Sequence, residues 1–317
     1  MEDNKNLNEA PRSSVAAREC DFSPKSFFSD MIRGALMGVA FIIPGFSGGS
    51  VAAILGIYEK LINAIADIFK SFKKSVITLL PIILGLALGV IALIFPLGWA
   101  LEKFPLPTVS LFVGLALGGL PSITDKTRGK ILPTNIAAFA IPALLAAALC
   151  FLPIAEDVNL LALAPYEYLI LFLVGILGSA ALVVPGISGS MILLILGYYN
   201  PIVNIITKHF FKGQDILLSL LVLGSVGLGI CVGFIGISVI MKLLLKHYPR
   251  GTYFAILGFI IGSIPTVYAS TAKDAGLSFS NLPASPWHWI ACAALLALGL
   301  ALSLFLIIFA KKKSSAK

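Results

Sequence analysis

Long apolar runs alternate with short polar and charged stretches along most of this chain. The continuous runs lie at about 75–100, 108–123, 131–153, 215–245, 252–268 and 287–310. As helices that rise about 1.5 Å per residue, runs of this length cross most or all of a hydrocarbon core of about 30 Å. The pattern therefore predicts an all-α polytopic membrane protein.

Two further apolar regions, at 27–68 and 166–206, are each interrupted by a short segment rich in proline, glycine and serine. The first segment reads PGFSGGS over Pro44–Ser50, and the second reads PGISGS over Pro185–Ser190. Proline has no backbone N–H and disfavours helical geometry in the preceding residue, so the entering helix ends there. We predict a re-entrant helical hairpin in each region, with a helix over 51–68 as the second arm of the first hairpin.

The two interrupted regions belong to an internal duplication. A shift of 141 residues aligns the two motifs without a gap, and a shift of 144 residues aligns the later spans. The aligned pairs include Gly34/Gly175, Tyr58/Tyr199, Asn63/Asn204, Gly114/Gly258 and Gly118/Gly262. Because each half has an odd number of predicted crossings, about three, the second half is predicted to be inverted relative to the first. The two tyrosines have the character of interfacial belt residues.

The duplication divides the chain into four parts. Residues 27–153 are predicted to form the first repeat, and residues 154–310 the second, inverted repeat. Residues 1–26 are polar and mixed in charge, which predicts a disordered cytoplasmic tail. Residues 311–317 are predicted to form a short basic tail, also in the cytoplasm.

Composition and charge distribution support a membrane location. A hydrophobic content of 58%, a charged content of 12% and a mean hydropathy of +0.99 exclude a soluble globular domain. The net charge of +8 does not indicate nucleic acid, because the basic residues form short clusters between the apolar runs. Such clusters face the cytoplasm and anionic headgroups, which predicts a cytoplasmic (inner) membrane protein with both termini inside. The basic segment Lys208–Lys212 breaks this rule, because the predicted topology places it outside.

The two interrupted segments have the chemistry of an anion-binding site. Irregular polar backbone at membrane depth is tolerated only where it is buried in protein or lines a cavity. Glycines let the backbone approach a ligand closely, and serines cap helices or bind phosphate oxygens. The alternative is that the glycines only allow two helix tips to pack closely. The candidate substrate-binding residues of the motifs are Pro44, Gly45, Ser47, Gly48, Gly49, Ser50, Pro185, Gly186, Ser188, Gly189 and Ser190.

Polar residues at helical spacing follow each motif. Glu59 and Asn63 lie four residues apart after the first motif, and Asn200 and Asn204 are their mates after the second. Residues four apart share a helix face, so these four are further candidates, as a stripe that lines a pathway. Arg33 at the mouth of the first hairpin is also a candidate, because a guanidinium group binds phosphate well. The alternatives are a solvated interfacial face for the stripe and a topology anchor for Arg33.

The sequence predicts no catalytic set, metal site or cofactor. His209, His247 and His288 are scattered among loops without the spacing of a metal site or a catalytic triad. The cysteines likewise have no metal-ligand spacing.

The sequences PGFSGGSVAAILGIYEKLI and VPGISGSMILLILGYYNPI resemble the bacterial polyprenyl-phosphate transporter family. The resemblance extends from Gly34 to the last helix. It implies translocation of undecaprenyl phosphate across the cytoplasmic membrane, which recycles the lipid carrier of cell-wall synthesis. The expected partners are this lipid and the bilayer, with no nucleic acid, and a homodimer is the assembly to test. The chain departs from the family pattern at Phe41, Ser50 and Asn200, where the family usually has Asp, Thr and Glu.

Two other functions remain open from the residues. A secondary transporter for a small soluble anion would use the same kind of site. Undecaprenyl-diphosphate phosphatase also resembles this design, but its motif continues with an arginine where this chain has Gly48 and Gly189. Without a cation to stabilise a transferring phosphoryl group, hydrolysis is disfavoured. We therefore predict a membrane lipid transporter and not an enzyme.

Overall fold

The computed structural model describes residues 24–42, 47–153, 155–186, 188–210, 213, 215–277 and 285–315, and the regular elements in these ranges are all helical. The helices are α1 (Pro24–Ile42), α2 (Gly48–Ile54), α3 (Tyr58–Ala66), α4 (Phe72–Lys103), α5 (Pro105–Thr124), α6 (Pro133–Ala148), α7 (Glu167–Val183), α8 (Gly189–Ile195), α9 (Tyr199–Asn204), α10 (Ile216–His247), α11 (Pro249–Asp274) and α12 (Pro286–Ser315). The 3₁₀ turns Asp125–Thr127 and Leu149–Phe151 follow α5 and α6, and a π-helical turn, Ile205–Phe210, follows α9. The all-α prediction is confirmed. The motif residues Pro44 and Gly45 lie outside the described residues.

Five helices in the described ranges are long and apolar enough to cross a membrane, namely α4, α5, α10, α11 and α12. A sixth span results if α8 and the stretch Tyr199–Phe210, which are bent by 107° relative to each other, count as one broken span. Helix α6 has 16 residues and is about 24 Å long, and its 3₁₀ turn adds about 6 Å. The prediction of a multi-pass membrane protein is confirmed in this form.

Glycines allow two equivalent pairs of helices to lie backbone to backbone. In the pair α1–α4, a Cβ atom added at Gly34 or Gly85 would lie 2.2 or 1.9 Å from a carbonyl oxygen of the facing helix. In the pair α7–α10, the aligned glycines Gly175 and Gly229 would meet such an oxygen at 2.4 and 2.0 Å. Larger side chains would push these helices apart, as expected for small residues at membrane helix interfaces.

The later helices pair across the two halves. Helix α5 packs on α12, and α6 packs on α11, so each pair takes one helix from each half. A Cβ atom at Gly114 of α5 would lie 2.1 Å from the Leu296 oxygen, and one at Gly258 of α11 would lie 2.1 Å from the Phe139 oxygen. The predicted repeat boundary at 153/154 would separate the two helices of each pair, so the packing joins the predicted halves across it.

The helix predicted over 51–68 is broken, so that prediction was wrong. Helix α2 ends before Gly56, which has a φ of +70°, and α3 starts two residues later. The Gly56 N–H donates to the Ala53 oxygen at 3.2 Å and the Ile57 N–H donates to the Ala52 oxygen at 3.0 Å, which is a Schellman ending. Gly197, with a φ of +76°, makes the same turn between α8 and α9.

Candidate functional site

The first motif lies in the main core of the protein. Ser47 and Ser50 are 4% and 3% exposed, and Gly48 and Gly49 between them are also buried. The core around them combines α2 and α3 with apolar residues of α1, α4, α5, α10 and α11. Helices of both halves therefore enclose the first motif.

The Ser47 hydroxyl is buried and has no hydrogen-bond partner among the described residues. Ser47 precedes α2 in an extended conformation, with φ −101° and ψ 128°, yet its side chain makes no capping bond to the helix. A buried hydroxyl without a partner costs about 1–3 kcal/mol. An orphaned polar group in a native core calls for an explanation, and a bound ligand is one.

A buried hydrogen bond connects α3 to the segment just before the second motif. The Tyr58 hydroxyl donates to the Val183 carbonyl oxygen at 3.0 Å. Val183 ends α7, just before Pro185, and Tyr58 is 2% exposed, so its interpretation as a belt residue was wrong. Burial raises the pKa of Tyr58, which keeps the hydroxyl protonated as a donor. The segment that follows the first motif is thus hydrogen-bonded to the segment that precedes the second motif.

The second motif is partly open. Pro185 and Gly186 are buried, and a Cβ atom at Gly186 would lie 2.5 Å from the Phe259 backbone of α11. Beyond them Ser188 is half-buried and Ser190 is exposed, and their hydroxyl oxygens lie 2.9 Å apart. Gly189 between them is buried. The two hydroxyls therefore form a hydrogen-bonded pair that a ligand can reach.

Glu59 lies in a polar cluster with Lys126 and Tyr253. Lys126 Nζ donates to Glu59 Oε1 at 2.7 Å and to the Tyr253 hydroxyl at 2.6 Å, and Tyr253 in turn donates to Glu59. Burial raises the pKa of Glu59, but the hydrogen bonds from Lys126 and Tyr253 and the positive charge of Lys126 outweigh burial and lower it below its usual value. Glu59 is therefore ionised at neutral pH, and its carboxylate accepts hydrogen bonds from two protein groups.

Two further ion pairs hold α3 against its neighbours. Lys60 pairs with Asp30 of α1, and Asp67 at the end of α3 pairs with Lys242 of α10. Arg33 also contacts Asp30, with its guanidinium nitrogen 3.4 Å from the carboxylate. The predicted candidate Arg33 thus lies in the same ion-pair group as α3.

The remaining candidates lie on exposed helix faces. Asn63 of α3 is exposed. In the second half, Asn200 is also exposed and donates to both carboxylate oxygens of Asp157, at 3.2 and 3.3 Å. Asn204 is exposed and lines a cavity at the end of α9.

The sequence reasoning missed several partners that shape this region. Asp30 had a usable signal, because it is an ionisable residue inside an apolar run. Lys126, Lys242 and Tyr253 had none, because they lie 67, 175 and 194 residues from their partners on α3. Only the fold brings these groups together.

The long apolar helices around the two motifs define this chain as a multi-pass membrane protein. A family model described as "VCA0040-like: Undecaprenyl phosphate translocase-like" matches residues 37–280. The chain belongs to this family of polyprenyl-phosphate transporters, as its motifs had indicated. The names of its relatives indicate a transporter and not an enzyme.

Two relatives support this assignment over most of the chain. A polyprenyl-phosphate transporter of Staphylococcus aureus (strain NCTC 8325 / PS 47) is 31% identical over 263 residues, which cover 80% of this chain and 90% of that protein. A polyprenyl-phosphate transporter of Vibrio cholerae serotype O1 is 27% identical over 326 residues, with coverage of 90% and 98%. No solved structure matches the chain.

Proposed function

We propose that this protein translocates undecaprenyl phosphate across the cytoplasmic membrane and so recycles the lipid carrier of cell-envelope synthesis. The observation that carries the proposal is the Tyr58–Val183 hydrogen bond, which joins the two motif copies inside one core. Two linked anion sites, one enclosed and one open, are what a carrier needs to pass a headgroup between leaflets. Membership in the polyprenyl-phosphate transporter family supplies the class of substrate.

The proposal assigns a re-entrant hairpin to each half and an inverted arrangement to the two halves. Helix α2 has seven residues and is about 10 Å long, too short to complete a crossing. The 107° bend after α8 supports a reversal of the chain in the second hairpin. With α4–α6 and α10–α12 as three crossings per half, the second hairpin opens outward and both termini lie in the cytoplasm.

The serine hydroxyls are the proposed phosphate ligands. The unpartnered Ser47 hydroxyl and the open pair Ser188 and Ser190 can each donate a hydrogen bond to a phosphate oxygen. The polyprenyl chain stays in the bilayer, against the apolar residues exposed on the spanning helices.

The other candidates act at different stages of the cycle in this proposal. Asn200 and Asn204 lie on the open side, where Asn204 meets the headgroup first and Asn200 reaches it after releasing Asp157. Arg33 and Glu59 have protein partners in this structure, so they reach the substrate only after the ion pairs of α3 open. Asn63 lies between those pairs on the same helix.

A proteoliposome assay with radiolabelled undecaprenyl phosphate tests the proposal by scoring leaflet exchange and free phosphate. We expect exchange without phosphate release for the wild type, and its loss in the double variant Ser47→Leu, Ser188→Leu. Ser225→Leu is the matched control, because Ser225 is a half-buried serine of α10 whose hydroxyl donates to the Leu221 oxygen of the same helix. Intact exchange in the double variant would contradict the role of the motifs.

Two further results of the same assay would replace the proposed function. Release of phosphate from the diphosphate form of the lipid would identify an enzyme. Absence of exchange by the wild type, with uptake of a small soluble anion, would identify an anion transporter.

A further inference from the structure

A cavity lies at the outer end of the second hairpin, beside the basic segment that broke the charge rule. It has a volume of about 260 Å³ and lies between the segment 157–161 and the end of α9 with its π-helical turn. Asn204, Lys208 and His209 line it from the helix side. Turns of π-helix occur frequently at functional sites, because they change the direction of side chains within a helix.

The polar groups on the helix side of this cavity have unused donors. Lys208 is exposed and makes no ion pair within the described ranges, and the side chain of Asn204 makes no hydrogen bond there. His209 Nδ1 is buried without a hydrogen bond, and it lies 3.6 Å from a carboxylate oxygen of Asp215, with which it forms an ion pair when protonated. A cation, an imidazole and an amide that converge on one cavity suit a phosphate group.

The size of the cavity and the carboxylate on its wall restrict the class of ligand further. A volume of about 260 Å³ is below the roughly 300–1,000 Å³ of pockets that enclose drug-sized ligands. It fits a headgroup and not a polyprenyl chain. Asp157 on the opposite wall accepts hydrogen bonds from Asn200, and it can also accept one from the P–OH of the monoanionic form of a phosphomonoester, whose second pKa is about 6. A phosphodiester has no such proton and cannot donate this hydrogen bond.

We propose that Lys208, His209 and Asn204 form an entry site for the phosphomonoester headgroup at the outer mouth of the second hairpin. The stripe Asn200, Asn204 and Lys208, spaced by four residues, then leads the headgroup along α9 toward the second motif. This inference rests on the proposed function and on its inverted topology. It explains why basic residues lie at a face where topology alone disfavours them.

Binding of undecaprenyl phosphate to the full-length protein in nanodiscs tests the entry site. We expect Lys208→Gln to weaken binding about tenfold or more, and Lys208→Gln with His209→Gln to weaken it further, because charge-assisted hydrogen bonds are lost. Lys208→Arg keeps the charge and is expected to bind as the wild type does. Lys246→Gln, an exposed charge removed at the other end of α10, is the matched control.

Competition in the same assay identifies the source of the phosphate. Neither inorganic phosphate nor phosphatidylglycerol, a phosphodiester, is expected to displace the lipid at comparable concentration. Displacement by inorganic phosphate would overturn the lipid assignment in favour of free phosphate. Displacement by phosphatidylglycerol would overturn the selection for a monoester.

The variants also separate this inference from the proposed function. If the wild type exchanges and binds the lipid while Lys208→Gln binds it equally well, the entry site is wrong and the proposed function stands. If the wild type neither binds nor exchanges the lipid, the proposed function fails and the entry site fails with it.

Discussion

Ser47 and Ser188 occupy equivalent places in the two motif copies, and their surroundings differ. Ser47 is 4% exposed within the main core, whereas Ser188 is half-buried beside the exposed Ser190. The following tyrosines differ in the same way, because Tyr58 is 2% exposed and its mate Tyr199 is 40% exposed. In this structure the first copy is therefore enclosed and the second is open.

The charges of the two copies explain which one is enclosed. Helix α3 carries Glu59, Lys60 and Asp67, each in an ion pair, and the aligned positions in the second half are Asn200, Pro201 and Lys208. Partly exposed pairs contribute about 0.2–1 kcal/mol each. Three such pairs hold α3 against α1, α10 and the turn after α5 in this structure, and the second copy lacks these charges at the aligned positions.

The largest expected difference between the copies concerns their matched turns. A Cβ atom at Gly197 would lie 2.2 Å from the Glu156 oxygen, whereas one at Gly56 would meet nothing within 4 Å. Both glycines have positive φ, so alanine costs about 1–2 kcal/mol at either site. The clash adds about 1–3 kcal/mol at Gly197 only. Gly197→Ala should therefore lower the unfolding midpoint in detergent more than Gly56→Ala.

Equal losses for these two variants would contradict the structure around Gly197. In the structure, residues 155–158 cover this turn through the hydrogen bonds Ala155 N–H to Ile195 oxygen and Val158 N–H to Gly197 oxygen, both 3.0 Å long. The Gly56 turn is the internal control, because it has the same backbone conformation and an added Cβ there would meet nothing within 4 Å.

The next prediction concerns the accessibility of the enclosed first motif to a reagent. Neutralising α3 with Glu59→Gln, Lys60→Gln and Asp67→Asn removes all three pairs, about 0.6–3 kcal/mol together. A cysteine at position 47, in a background with the four native cysteines replaced by serine, should then react with a maleimide about threefold to a hundredfold faster. The physical reason is that reagent reaches Ser47 only when α3 moves.

Asn63→Ser in the same background is the control, because Asn63 lies on α3 and takes part in none of the three pairs. A cysteine at position 188 should react quickly with or without the α3 changes. An unchanged rate at position 47 in the neutral variant would show that the ion pairs do not keep the first copy closed.

The apolar runs predicted most of the fold, because the number of consecutive apolar residues directly gives the length of a membrane-spanning helix. The predicted spans at about 75–100, 215–245 and 287–310 coincide with α4, α10 and α12. The breaks at Gly56 and Gly197 were missed because apolar periodicity continues across them and only the glycines indicate a Schellman ending. The exchange of partners between α5–α12 and α6–α11 was not predictable, since a glycine indicates close packing but not the partner.

The sequence predicted the two motifs of the candidate site, but it did not predict the burial or the partners of their residues. Duplication identified Ser47 and Ser188, but their unequal burial depends on which distant helices cover them. The stripe that begins at Glu59 was likewise visible from spacing. Its partners Lys126 and Tyr253 come from elsewhere in the chain, so the pairing of Glu59 had no local signal.

A smaller difference concerns the hydroxyls of the two aligned tyrosines. Tyr58→Phe removes the buried bond to the Val183 oxygen, which should cost about 0.5–1.5 kcal/mol and reduce leaflet exchange. Tyr199→Phe should change the unfolding midpoint little, because Tyr199 is 40% exposed. Unfolding midpoints and exchange rates of both variants in parallel check this. Equal effects would mean that the Tyr58 bond does not connect the two motifs.

The smallest expected difference is the pH dependence of the Glu59 cluster. The folded pKa of Glu59 lies below its usual value, so its stabilising effect is present above the unfolded pKa of about 4.3 and is lost as the pH falls through the folded pKa. The gap in unfolding midpoint between the wild type and Glu59→Gln should therefore be constant near neutral pH and narrow below about pH 4. The matched change Asn200→Gln in the second copy should show no such narrowing, because an amide does not titrate. A gap that persisted unchanged to about pH 3 would mean that ionised Glu59 is not what distinguishes the enclosed copy from the open one.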